Sequence, residues 1–71
     1  MLTLDQVAEY AERTIAEQTL SGDEVALKNA QRALGYIVAA AEAHGDRETA
    51  RRFRILAAQA ANKAEEVSTR R

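Results

Sequence analysis

Hydrophobic positions recur at spacings of three and four residues in three separate stretches of this chain. Such residues form one apolar stripe along a helix, because an α-helix makes a turn every 3.6 residues. Glycines interrupt the pattern at Gly22 and Gly45. The pattern predicts an all-α protein, a three-helix up-down-up bundle with helices at about 4–20, 23–44 and 46–67.

Residues with helix-capping chemistry stand at the predicted boundaries. Thr3 and Gln6 have the spacing of a capping box, in which each side chain bonds the backbone amide of the other residue. Ser21 or Asp23 is suited to cap the second helix, and Asp46 the third, by accepting from free amides of the first turn. The three predicted helices therefore have separate start signals.

The second half of the second helix is apolar nearly all round. Two neighbouring helices cover only part of a helix's circumference, and an apolar strip left exposed on a small protein often marks a contact surface. We therefore predict a homodimer through this helix. The alternative is that the helix is central and well covered by the other two. The candidate self-association residues are Tyr36, Ile37, Val38 and Ala40.

The third helix has the most regular apolar spacing in the chain. Its seam alternates steps of three and four residues, as in antiparallel bundles, and is mostly alanine in its lower half. Alanine permits close approach of a neighbouring helix. Phe53, the only phenylalanine, lies on this seam and is predicted to be in the core.

The Gly-Asp turn that begins at Gly45 is followed by two small residues. Ala50 stands five positions after the glycine, and Ala57 stands seven positions after Ala50. This arrangement resembles the turn and second helix of a tetratricopeptide repeat. The resemblance extends from about Gln31 to Glu65 and implies a helical hairpin there. The chain departs from the family pattern where an arginine stands in place of an aromatic residue, and it has no second full copy of the repeat.

Composition limits the size of the core. Hydrophobic residues make up 46% of the 71 residues, but sixteen of them are alanine. Alanine is the best helix former but brings little apolar area to a core. We expect a single domain over residues 1–71, with a frayed tail from about residue 68. Domains with so small a core often gain stability by associating.

Charge is unevenly distributed along a chain whose net charge is −1. Six acids and one base lie between Met1 and Glu24, whereas seven bases and four acids lie between Gly45 and Arg71. Four arginines occupy the first two turns of the third helix, where each opposes the helix dipole by about 0.3–1 kcal/mol. The candidate partner-binding residues are Arg47, Arg51, Arg52 and Arg54.

This arginine cluster has three possible explanations. Helices 1 and 3 run parallel in an up-down-up bundle, so Asp5, Glu9 and Glu12 would lie beside the arginines and neutralise them. The arginines would otherwise contact an acidic patch on a partner protein, or the phosphates of a nucleic acid. We do not expect nucleic acid as the partner, because DNA-binding domains are usually distinctly basic.

The sequence contains no pattern that indicates catalysis or cofactor binding. The lone histidine, His44, stands in the last turn of the second predicted helix, where a positive charge interacts favourably with the helix dipole. Without cysteine or a second histidine at ligand spacing, we expect no metal site. Ser21 and Ser68 lack a neighbouring base, and no glycine-rich phosphate loop is present. We therefore expect no enzyme, no cofactor and no small-molecule substrate.

The sequence as a whole favours a small non-enzymatic protein-interaction or regulatory module that acts through a helical face. One alternative is a nucleic-acid-binding protein that uses the arginine cluster, and another is a structural or assembly subunit that mainly self-associates. Heavy use of alanine, with eight arginines against two lysines, suggests a bacterial or phage gene from a GC-rich genome. A module of this kind could be an inhibitor of a host protein. The longest uncharged run, Ala33–Ala41, is too short to span a membrane, and we expect a cytoplasmic location.

Overall fold

The computed structural model describes residues 1–70 of the chain. It contains three helices, α1 (Leu4–Ser21), α2 (Glu24–Ala43) and α3 (Arg47–Thr69). About 87% of the described part is helical, and that part contains no strand. The predicted all-α, three-helix fold is confirmed.

The observed helix boundaries lie within two residues of the predicted ones. α2 and α3 each begin one residue later than predicted, because Asp23 and Asp46 are the caps rather than the first helical residues. α3 continues two residues past the predicted end, and the Thr69 hydroxyl donates to the Glu66 carbonyl at 2.9 Å in its last turn. Arg71, the end of the predicted frayed tail, lies outside the described residues.

The predicted capping box is present at the start of α1. The Thr3 hydroxyl accepts from the Gln6 amide at 3.1 Å, and the Thr3 amide donates to the Gln6 side-chain carbonyl at 2.9 Å. Asp23 accepts from the Ala26 amide at 3.0 Å, so it is the aspartate rather than the preceding serine that caps α2. These bonds satisfy amides that would otherwise lack a partner within the helix.

α2 and α3 form a closely packed antiparallel hairpin, and α1 contacts each of them less extensively. The end of α2 lies beside the start of α3, where Arg54 pairs with Glu42. The end of α1 lies beside the end of α3, since Gly22 is next to Val67. α1 and α3 therefore run parallel, as the up-down-up topology requires.

The core draws on all three helices, and its two largest fully buried side chains are Phe53 and Leu27. Alanines at positions 60 and 64 are also buried and let the α2–α3 hairpin close tightly. The buried cluster consists of Ala8, Ile15, Leu27, Leu34, Phe53, Leu56, Ala60, Ala64 and Val67. The predicted burial of the only phenylalanine is confirmed.

Opposite changes in stability are expected from alanine at two of the glycines. Gly45 has a φ of 71° in the α2–α3 turn, so Gly45→Ala should lower the free energy of unfolding by about 1 kcal/mol. Gly35 lies within α2 with nothing within 4 Å of an added Cβ, so Gly35→Ala should raise it by about 0.4–1 kcal/mol. Urea unfolding measures both, and changes of the same sign would contradict this account of the turn.

Candidate functional site

An open apolar groove of about 460 Å³ is lined by α1 and α2 alone. None of its lining residues is charged, although 30% of the chain is. α1 contributes Val7, Tyr10, Ala11, Thr14 and Gln18. α2 contributes Ala26, Asn29, Ala30, Ala33, Leu34 and Ile37.

The groove follows from the width of the apolar stripes on α1 and α2. The centre of each stripe is buried in the shared core, at Ile15 on α1 and Leu34 on α2. Residues at the flank of each stripe, such as Val7 and Ile37, are half-buried and line the groove. Tyr10 is at the rim, with 64% of its surface exposed.

One polar atom in the groove wall lacks a partner within the described residues. The Gln18 side-chain oxygen is shielded from solvent but accepts no hydrogen bond. Thr19, the next residue, is also buried, but its hydroxyl has a partner, because it donates to the Ile15 carbonyl at 2.7 Å. An unsatisfied buried acceptor costs about 1–3 kcal/mol, so a molecule that brings a donor to Gln18 gains from it.

The four candidate self-association residues lie in different surroundings. Ile37 lines the groove, while Val38 is half-buried and packs against the core. Tyr36, with 76% of its surface exposed, and Ala40 are on the open surface of α2. The structure thus connects one of the four to the groove, and their contact with a second copy stays a prediction.

The four arginines at the start of α3 differ in their partners. Arg52 forms an ion pair with Asp5 of α1, and Arg54 forms one with Glu42 of α2 at 3.1 Å. Arg47 and Arg51 are exposed and take part in no ion pair within residues 1–70. Two of the four arginines are therefore paired with acidic side chains of other helices, while Arg47 and Arg54 line one depression beside Glu42. Partner binding by these residues stays a prediction.

The Arg52 contact places the acidic helix beside the basic one, as parallel helices require. Its hydrogen bond to Asp5, with the negative charges of Glu12 and Glu9 nearby, raises the pKa of the Arg52 guanidinium. All of these groups are at the surface, where solvent screens ion pairs and leaves them little effect on stability. The contact therefore adds little to the stability of the fold.

Neither metal-site nor membrane-span geometry was found in the described part of the chain. No three histidine, aspartate or glutamate side chains of residues 1–70 come together in a way that could hold a metal ion. None of α1, α2 and α3 has the length and apolar character that crossing a bilayer requires.

Comparison with known proteins gives no relative for this chain. No protein family model, curated protein or solved structure matches it. The resemblance of the segment from Gln31 to Glu65 to a tetratricopeptide hairpin accordingly stays a prediction.

The contribution of α1 to the groove was not predicted from the sequence. Our prediction placed the contact surface on α2 alone, yet Val7 and Tyr10 form one end of the groove. The signal was present, since both residues lie to one side of the buried position Ala8 on the helical wheel. Which flank of the stripe stays uncovered depends on how α1 packs against its neighbours.

Acid should weaken the α3 cap through Asp46. Hydrogen bonds from the Thr49 hydroxyl and amide hold the pKa of Asp46 below its ordinary value of 3.8. The charged cap therefore stabilises the fold fully above the unfolded-state pKa, and this stability is lost as pH falls through the lower folded-state value. We expect the melting temperature to fall below about pH 4 and to fall less in Asp46→Asn.

Asparagine makes this a clean comparison because it caps helices about as well as aspartate but does not titrate. Part of the acid-induced fall should remain in the variant, since Lys63 and Arg70 also lower the pKa of Glu66. Melting curves recorded across the acid range measure both proteins. Parallel pH profiles for the parent and Asp46→Asn would show that the cap does not contribute.

Proposed function

We propose that this chain is a non-enzymatic protein-interaction module that binds a protein through its α1–α2 groove. The observation that carries the proposal is the uncharged lining of the groove in a chain rich in charge. The cores of protein interfaces are depleted of charged residues and enriched in tyrosine, which Tyr10 supplies here. A regulatory or inhibitory role in a bacterial or phage cytoplasm belongs to the same proposal.

The chemistry of the lining supports binding rather than catalysis. It contains no carboxylate, histidine or amine that would exchange protons with a substrate near neutral pH. Its polar groups are the hydroxyls of Thr14 and Tyr10 and the amides of Gln18 and Asn29. Such groups orient a bound surface by hydrogen bonding, and the apolar residues around them exclude water.

The pairing of two of the four arginines within the chain makes nucleic acid the weaker alternative. A nucleic-acid contact is favoured by a continuous positive surface, but Arg52 and Arg54 are engaged by acidic side chains. We expect no oligonucleotide binding at physiological salt. Salt-sensitive binding at micromolar affinity that is lost in Arg51→Ala would instead support phosphate recognition.

Site-specific photo-crosslinking tests the proposed binding face. A photoreactive amino acid replaces Ala33 in the groove, and a matched control carries it at the exposed Gln59 on α3. In the source cells, the groove position should form discrete crosslinks to protein and the control position should not. Absence of any protein crosslink at the groove position, with the variant folded by circular dichroism, would refute the proposal.

A further inference from the structure

The molecule exposes more surface than a compact chain of its mass. Its accessible surface is 5115 Å², and its mass is 7.8 kDa. Monomeric proteins of this mass expose roughly 4,400 Å², so the excess is roughly 700 Å². The radius of gyration is 12.3 Å, compared with about 11 Å for a compact domain of this length. The elongated shape, with principal extents of 40, 22 and 14 Å, accounts for this larger surface.

We propose that a second copy of this chain covers the groove and that α1 pairs antiparallel with its counterpart about a two-fold axis at Thr14. This inference rests on the proposed function and names the partner. Along the groove, Thr14 lies midway between Tyr10 and Gln18 on α1. A two-fold axis there sets each tyrosine opposite the glutamine of the other copy, because the interface is self-complementary.

The Tyr10–Gln18 pairing gives the unpartnered groove oxygen a donor. Tyr10 is a rim residue whose hydroxyl can donate, and the Gln18 oxygen is an acceptor without a partner in the described residues. Rotation about the last torsion of the glutamine side chain, which is broad, turns the oxygen toward the groove. Symmetry forms the bond twice, once in each direction.

Charges beside the groove are complementary under the same symmetry. Arg13 and Glu17 are exposed on the outer side of α1, and neither takes part in an ion pair within residues 1–70. The antiparallel arrangement sets Arg13 of one copy near Glu17 of the other, and again in reverse. A parallel pairing would instead place like charges together.

The α2 side of the groove allows the two copies to approach closely. Ala26, Ala30 and Ala33 are the small residues that α2 gives to the lining. Thr14 and Ala30 are each eight residues from Gly22 in the turn that joins the two antiparallel helices, so they are expected to lie opposite each other. The axis therefore passes close to Ala30 as well.

Sedimentation equilibrium of the purified chain tests the dimer. The apparent mass should approach twice 7.8 kDa at micromolar concentration. Ala30→Glu should return it to the monomer mass, because the axis sets two carboxylates against each other. A parent that remains at 7.8 kDa up to high micromolar concentration overturns the proposal.

A charge reversal tests the orientation and register without disturbing the core. Arg13→Glu should raise the dimer dissociation constant by roughly fivefold, and so should Glu17→Arg, since each breaks two exposed ion pairs. The double variant that exchanges the two charges should restore the parent value. Arg51→Glu, on the exposed surface of α3, is the matched control and should leave the constant unchanged.

The outcomes separate this inference from the proposed function. A dimer that survives Ala30→Glu uses another surface and overturns the inference, as does a double variant that fails to recover. A monomeric chain whose Ala33 position still crosslinks to a different protein overturns the second copy as occupant, while the proposed function stands. A monomer with no protein crosslink overturns both.

Discussion

Phe53→Ala is expected to remove a large part of the stability of the fold, about 3–5 kcal/mol of the free energy of unfolding. Phe53 is fully buried and is the largest side chain in the core. Truncation removes its apolar contacts and leaves a cavity among neighbours from all three helices. A chain of this length is stabilised by roughly 4–11 kcal/mol in total, so the variant should be marginally folded.

Urea unfolding followed by circular dichroism measures this loss. Ile55→Ala is the matched control, because Ile55 lies two residues away on α3 with 53% of its surface exposed. The control should change the free energy of unfolding by less than about 1 kcal/mol. Equal losses from the two substitutions would mean that α3 turns a different face to the core.

Helix positions could be predicted from the sequence because their causes are local. Apolar spacing fixes the buried stripe, and Thr3 and Asp46 cap their own helices within a few residues. The ambiguity between Ser21 and Asp23 at the start of α2 had the same local origin. In the structure it is the aspartate that reaches the amide, while the Ser21 hydroxyl donates to the Gln18 carbonyl at 3.2 Å.

Contacts between helices were predicted less completely because they depend on packing. The parallel course of α1 and α3 correctly placed Asp5 near the arginines, and the structure pairs it with Arg52. The pairing of Arg54 with Glu42 was not predicted, since it depends on the rotation of α3 against α2. The groove has the same origin. The flanks of the apolar stripes on α1 and α2 stay uncovered because α1 packs against the α2–α3 hairpin from one side.

A second large effect is expected at the start of α2, where Leu27→Ala should lower the free energy of unfolding by about 2–5 kcal/mol. Leu27 has no exposed surface, and it belongs to the same buried cluster as Leu34 and Phe53. A core with so few large side chains has little capacity to refill the space. The alanine seam of α3 offers no long side chain that could move into the cavity.

Leu20→Ala isolates the effect of burial because it removes the same atoms from a helical position with 87% of its surface exposed. Both substitutions put the best helix former into a helix, so differences in helix propensity are small. Leu20→Ala should change the free energy of unfolding by less than about 0.5 kcal/mol. Both variants are measured by urea unfolding at low protein concentration, where dimerisation contributes least to stability. If Leu20→Ala proved as costly as Leu27→Ala, the leucine at position 20 would have to be buried, and α1 would lie in a different place against the hairpin.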